Sequence, residues 1–317
     1  MKKIVILKND RTGDLFVSLK AINKIINKHL DIKITIFLSN INHKFSFLFP
    51  QINKKIISMN LNFIEKVKIF FYFLFNKIDT AYILTPKNFY YFLPLIFRNT
   101  KFYAITINGL KKRPQNFLKK YLYKYAEIDR LIIKKRKSSY DIQENLIDTD
   151  LIKNQLNNFS STKHEFRYPK NYIFFHYKKN LFKNLLKWDL KTVSLFIDYL
   201  SSKYENILFS SELKSNEANN FFSNNYNTYN FVDYKFNTIN KKNVYFLKEI
   251  DGYDLFDAVN KAKKIVSPEG IITHMGYYCQ KSILALMHFN MKNRQDFINQ
   301  IISCKEWFPP NNYDFIV

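Results

Sequence analysis

Residues 4–25 read IVILKNDRTGDLFVSLKAINKI, and the punctuation of this stretch decides the fold. Lys3 to Leu7 is an unbroken apolar run after its first residue, the pattern of a strand buried on both faces. From Asp14 to Lys28, the residues Leu15, Leu19, Ile22 and Ile26 recur at three-to-four spacing, the period of a helix with one buried stripe. Between them lies a seven-residue turn, Lys8 to Asp14, holding one of only five glycines in 317 residues. Strand, tight turn and helix make the opening unit of a parallel sheet.

The same alternation continues outward. Strands are expected over Ile32–Leu38, Lys55–Met59, Thr80–Leu84 and Phe102–Thr106, and helices over Phe63–Asn76 and Tyr90–Phe97. A polar helix over Asp141–Asn158 leads into an aperiodic tract, Ser160–Asn171, which serves as a domain boundary. The alternation then restarts, with strands at Tyr172–His176, Asn206–Phe209, Val244–Leu247, Lys264–Ser267 and Ile283–Met287. Helices are expected at Leu190–Lys203, Glu212–Asn224, Tyr253–Ala262 and Ile272–Tyr278. The expected fold is α/β of the GT-B kind: two Rossmann-like parallel-sheet domains, 1–160 and 161–317, facing an interdomain cleft.

Composition sets further bounds. Hydrophobic residues make up 47% of the chain, enough for a real core, which excludes a disordered polybasic chain. The formal net charge of +24 favours polyanionic partners, although a Lys-, Asn- and Ile-rich composition can arise without selection for binding. Cys279 and Cys304 are isolated, match no metal spacing and exclude a disulfide scaffold, which suits a reducing cytoplasm. The opening MKKIVILKND lacks the long apolar core of a signal peptide. The run IFFYFLF, Ile69–Phe75, is too short to span a bilayer and reads as a core helix.

Glycine is scarce, so each one marks a backbone need. Gly13 and Gly270 fall at strand-to-helix turns, where open α/β sheets bind ligands. In the first turn, Asp14 is either an N-terminal cap or a general base. In the late turn, residues 267–274 (SPEGIITH), the N–H groups opening a helix form a diphosphate pocket. Thr273 and His274 could add donors to phosphate or ribose. The alternative is a capped helix with a buried histidine. The dinucleotide fingerprint G-x-G-x-x-G is absent from both turns.

Together these turns resemble the heptosyltransferase-like glycosyltransferase family 9. Its members begin with a strand, a basic residue and a Gly-Asp pair opening a long helix, matched here by Gly13 and Asp14. Its late motif, an acid, a small residue and a His, is matched by Glu269, Gly270 and His274 in SPEGIITHMGYY, and ILAL, Ile283–Leu286, fits the strand that follows. Two departures stand out. Ile271 replaces a usual second Gly. The middle loop keeps His176 and Trp188 but has Lys187 directly before the Trp and lacks the Gly; Lys178, Lys179 and Lys183 are substitutes for its phosphate-binding Lys.

The resemblance implies a metal-independent, inverting transferase without a cofactor. A sugar, heptose or a relative, would move from a nucleotide-sugar donor such as ADP-heptose to a lipopolysaccharide-core or other anionic cell-envelope glycan. Asp14 would be the catalytic base. His176, Lys187, Glu269, Gly270, Ile271, Thr273 and His274 would bind the donor, and Arg11, Thr12 and Gly13 would form the acceptor-side loop. The alternative is a non-catalytic GT-B relative that binds anionic glycolipid or another polyanion.

Between Lys111 and Lys137 stand eleven basic residues against only Glu127 and Asp129, with Tyr and Leu interleaved in NFLKKYLYKY. This reads as a basic amphipathic surface element suited to the cytoplasmic face of an inner membrane. Nucleic acid fits the charge equally, but no nucleic-acid-binding module is present.

Overall fold

The computed structural model describes residues 2–29, 32–109, 115–131, 137–147, 166–213, 215–239, 243–289, 293–304, 306–308 and 313–316. The chain forms two units. The first comprises Met1–Gln155 and Arg294–Pro310, the second Leu156–Asn293 and Asn311–Val317.

In the first unit the strands are β1 (Lys3–Lys8), β2 (Lys33–Ser39), β3 (Asn53–Ile57), β4 (Thr80–Ile83), β5 (Lys101–Asn108) and β6 (Lys124–Asp129). They pair in the order β3-β2-β1-β4-β5-β6, every pair parallel. The helices are α1 (Thr12–Lys28), α2 (Phe63–Asn76), α3 (Asn88–Ile96), α4 (Gln115–Leu118) and α5 (Ser139–Glu144). α1 buries Leu15, Leu19, Ile22 and Ile26, the stripe that its spacing predicts. It is tied to α5 by a Ser18–Gln143 hydrogen bond and by Lys20 and Lys24 reaching Glu144 at 3.6 and 3.5 Å. A second cluster joins Val5, Leu7 and Phe102 of the sheet to Ile69 and Phe73 of α2 and to Tyr90, Tyr91 and Leu93 of α3.

Two expectations change here. α2 is a core helix on one face only: of its residues Ile69 and Phe73 are buried in the core cluster, and the rest are exposed or half-buried. Its run Ile69–Phe75 is apolar all round, so periodicity there cannot say which face is covered. The basic segment is not one amphipathic element either. Its described part is α4, a 3₁₀ turn at Lys119–Tyr121 and the edge strand β6. Lysines on an edge strand suppress pairing with further strands. Residues 111–114 and 132–136 of that segment, 148–158 of the polar helix expected after Asp141, and 160–165 of the expected boundary tract lie outside the described residues.

The second unit contains β7 (Tyr172–Tyr177), α6 (Leu190–Lys203), β8 (Asn206–Ser211), α7 (Asn216–Asn225), β9 (Asn227–Asn230), β10 (Lys235–Asn237), β11 (Val244–Lys248), α8 (Gly252–Lys261), β12 (Lys264–Pro268), α9 (Ile271–Tyr278), β13 (Ser282–Leu286) and β14 (Tyr313–Ile316). The order is β10-β9-β11-β8-β7-β12-β13-β14, antiparallel only between β9 and β10. Aside from β9 and β10, the strands outward from β7 repeat the first sheet's arrangement. β9, β10 and β14 are absent from the sequence reading; half of β9 (Asn227–Asn230) is Asn, which has low strand propensity, and β10 and β14 are only three and four residues long.

A single division at 160 is also corrected. Arg294–Pro310, with helix α10 (Arg294–Cys304), belongs to the first unit, and Asn311–Val317, with β14, returns to the second. Arg130 Nε and Nη2 donate to Glu306 Oε1 at 2.8 and 2.6 Å, and the Ser139 amide donates to the Glu306 carbonyl at 2.9 Å. Partners 176 residues apart leave no local pattern to read.

Candidate functional site

Both sheets reverse strand order beside their first strand, and ligands of open α/β sheets bind outside the carboxyl ends of strands at such points. Each unit has a cavity there.

In the first unit a cavity of about 260 Å³ opens where β1 and β4 end, lined by Lys8, Asp10, Asp14, Thr85 and Lys87 among others. Asp14 is the third residue of α1, where the free N–H groups favour an anion. The helix start carries no side-chain cap hydrogen bond, so Asp14 is not a cap. Asp10, from the same turn, is a second carboxylate that the sequence reading passes over. The Lys8 ammonium, with its side chain 2% exposed, donates to Asp10 Oδ2 at 2.7 Å, and Thr85 Oγ1 donates to the same oxygen at 2.9 Å. Asp10 Oδ1 is buried with no partner. Burial holds the Asp10 carboxyl above its usual range, Lys8 pulls it down, and the nearby Asp14 raises it further. Arg11, Thr12 and Gly13 do not line this cavity. Arg11 is exposed at the N-cap, and Thr12 and Gly13 are the first two residues of α1.

In the second unit a cavity of about 580 Å³ lies where β7 and β12 end. Of the residues expected to bind a donor, His176, Glu269, Gly270 and Ile271 line it. Lys178 and Lys179 line it in place of Lys187, which is exposed further along the loop with φ 59°. Thr273 and His274 do not line it. The Thr273 hydroxyl donates to the Gly270 carbonyl at 2.7 Å and accepts from the Gly270 amide at 3.3 Å, while His274 is buried. The capped-helix alternative therefore describes those two residues. Gly270 itself has φ 153°, a conformation costly for residues with a Cβ.

His176 Nδ1 lies 2.9 Å from Ser210 Oγ. Burial, aided by the charge of Lys178, lowers the pKa of both His176 and His274 to about 4. Both rings are neutral at pH 7, so a bound anion must meet its positive charge elsewhere. Lys178 supplies it: its ammonium donates to the Glu269 carbonyl at 2.9 Å, at the entrance to α9. Ser210 at the end of β8, and Glu212 and Asp251 from the loops after β8 and β11, complete the wall. The only trace of these in the sequence is their place after predicted strands. Among the described residues no group of three or more His, Cys, Asp and Glu is placed to hold a metal ion.

No protein-family model and no curated protein sequence matches the chain. Solved structures do. The chain is similar to E. coli ADP-heptose lipopolysaccharide heptosyltransferase II, with 14% identity, TM-score 0.62, and 100% of this chain and 90% of that one covered. It is similar to a family 9 glycosyltransferase from Veillonella parvula, with 13% identity, TM-score 0.65, and coverage of 99% and 85%. It is also similar to E. coli heptosyltransferase WaaC with ADP-2-deoxy-2-fluoro heptose, with 10% identity, TM-score 0.62, and coverage of 99% and 92%. The fold is that of these proteins, two Rossmann-like parallel-sheet units of the GT-B kind.

Proposed function

We propose that this chain is a glycosyltransferase that moves a sugar from a nucleotide-diphosphate donor onto a hydroxyl of a cell-envelope glycan. The observation that carries the reading is the cavity at the switch point of the second sheet, where α9 begins at Gly270 beside the Lys178 ammonium. A helix start and a cation suit a diphosphate. A heptosyltransferase of the same fold has been solved with an ADP-heptose analogue, which makes ADP-heptose the first donor to test.

In this reading Asp14 takes the proton from the acceptor hydroxyl as its oxygen bonds to the anomeric carbon. The bond from that carbon to the diphosphate breaks, and the configuration inverts. The leaving diphosphate carries away the electron pair and is stabilised by the α9 amides and Lys178. His176, neutral, hydrogen-bonds the donor. No metal or cofactor is assigned a role.

The test is thermal stabilisation by a panel of nucleotide sugars, followed by turnover. ADP-heptose or a relative is expected to raise the melting temperature saturably, and Lys178→Ala to weaken that response. Asp14→Ala is expected to keep the donor response and lose ~100-fold or more of turnover, the scale of a general base. Near-normal turnover in Asp14→Ala would remove the base assignment. Silence toward every donor would leave the chain a binding relative of the same fold.

A further inference from the structure

In the segment that returns to the first unit, burial alternates. Glu306 is 1% exposed and Phe308 3%, and these two anchor the turn after α10. Trp307 between them is 36% exposed, so its ring is not what holds the segment down. The ring is nevertheless fixed. The Arg130 guanidinium lies over it at 5.0 Å, and Arg130 donates twice to the buried Glu306 Oε1. A partly exposed indole kept in place by a buried ion pair is a preformed contact surface.

That ring lines the cavity that holds Asp14. The rest of the wall is of two kinds. Ile107 and Ile128, at the ends of β5 and β6, are apolar. Asp10 and Ser139 are polar, and each keeps one buried oxygen, Oδ1 and Oγ, without a partner. Buried polar atoms are nearly always paired, so two orphans among the residues of one wall call for an outside partner. A sugar has both characters, an apolar C–H face and a rim of hydroxyls that can donate to Asp10 and accept from Ser139. A phosphate does not suit the place. Asp10 and Asp14 are both carboxylates, and the two lysines of the wall are engaged, Lys8 with Asp10 and Lys87 with the Met59 carbonyl.

We propose that Trp307 is the platform on which the acceptor sugar stacks, with its C–H face on the indole and one hydroxyl presented to Asp14. The role of Asp14 rests on the transferase reading. The platform adds what that reading lacks, the class of acceptor group: a sugar ring with one open C–H face, uncharged where it enters the cavity.

The chain has two tryptophans, so Trp188→Phe leaves Trp307 as the sole indole reporter. In that full-length variant the indole emission is followed during titration with methyl glycosides of hexoses and heptoses, with a lipopolysaccharide-core oligosaccharide, and with glycerol. At least one sugar should shift or quench the emission saturably. Glycerol, which has hydroxyls but no ring face, should not. With the responding sugar as acceptor, Trp307→Ala should raise KM about tenfold with little change in kcat, and Trp307→Phe, which restores a ring, should recover part of the loss. The emission arm keeps the native Trp307, so it stands even where the alanine variant fails to fold. Silence toward every sugar, an equal response to glycerol, or a wild-type KM in folded Trp307→Ala would each overturn the inference. Donor-induced stabilisation, read on the same protein, reports separately. Donor binding with a silent Trp307 removes the platform alone, whereas a sugar-responsive Trp307 with no donor response supports the sugar site and removes the transferase reading.

Discussion

His176 and His274 illustrate how burial decides chemistry at the scale of one residue. Each has a folded pKa of about 4 against 6.5 for the free side chain. The unfolded chain therefore binds more protons between those values, and stability rises with pH across that window. Melting temperature is expected to fall as pH drops from about 6.5 towards 4, and His176→Gln should flatten part of that slope. A variant with the wild-type slope would mean that His176 stays protonatable in the fold. Asp10 acts with the opposite sign. Its raised carboxyl pKa makes it a liability at neutral pH that protonation relieves. A buried carboxylate with one bonded and one unpartnered oxygen is better suited to receiving a ligand's hydroxyl than to stabilising the unit.

Among the elements, α9 is the one whose start is most exacting. Gly270 adopts φ 153°, and its carbonyl and amide are both held by Thr273. A Cβ built there meets only Lys178 Nζ at 3.6 Å, so the penalty for a side chain is conformational rather than a clash. Gly270→Ala is expected to lose about 1–3 kcal/mol in urea unfolding. It should also weaken nucleotide-sugar binding, because the turn aims the α9 amides. An alanine variant as stable as wild type would show that the turn relaxes. α2 is the contrasting case. Its start is fixed by the capping box of Asn62 and Glu65, and its boundaries match the sequence expectation residue for residue, yet its role could not be read from them.

At the scale of the whole chain, a late segment returns to the first unit. After β13, α10 joins the first unit, and Glu306, with its side chain 1% exposed, receives Arg130. Arg130 also lies over the Trp307 ring at 5.0 Å. Removing the acid leaves Arg130 without its buried partner, so Glu306→Gln is expected to destabilise the first unit by about 1–3 kcal/mol. Urea unfolding followed by exchange protection at the Ser139 amide would detect it. Unchanged protection would mean that the apolar contacts of Phe308 suffice to hold the return.

Local pattern alone determined the alternation of strands and helices, the two sheets and the turns at Gly13 and Gly270. Those properties are written in neighbouring residues: a buried strand needs a short apolar run, and a helix with one covered face needs a three-to-four spacing. It also placed Asp14, because a Gly-Asp pair opening a helix is a local signal. The tertiary structure decided which charges meet. Lys8, Asp10 and Thr85 converge from β1 and the end of β4, and His176 and Ser210 from two adjacent strands. It replaced Lys187 with Lys178 at the cavity, turned Thr273 and His274 inward, and left the apolar flank of α2 uncovered. Each of these depends on contacts between distant parts of the chain, and no period or spacing in a linear sequence encodes the partner across such a gap.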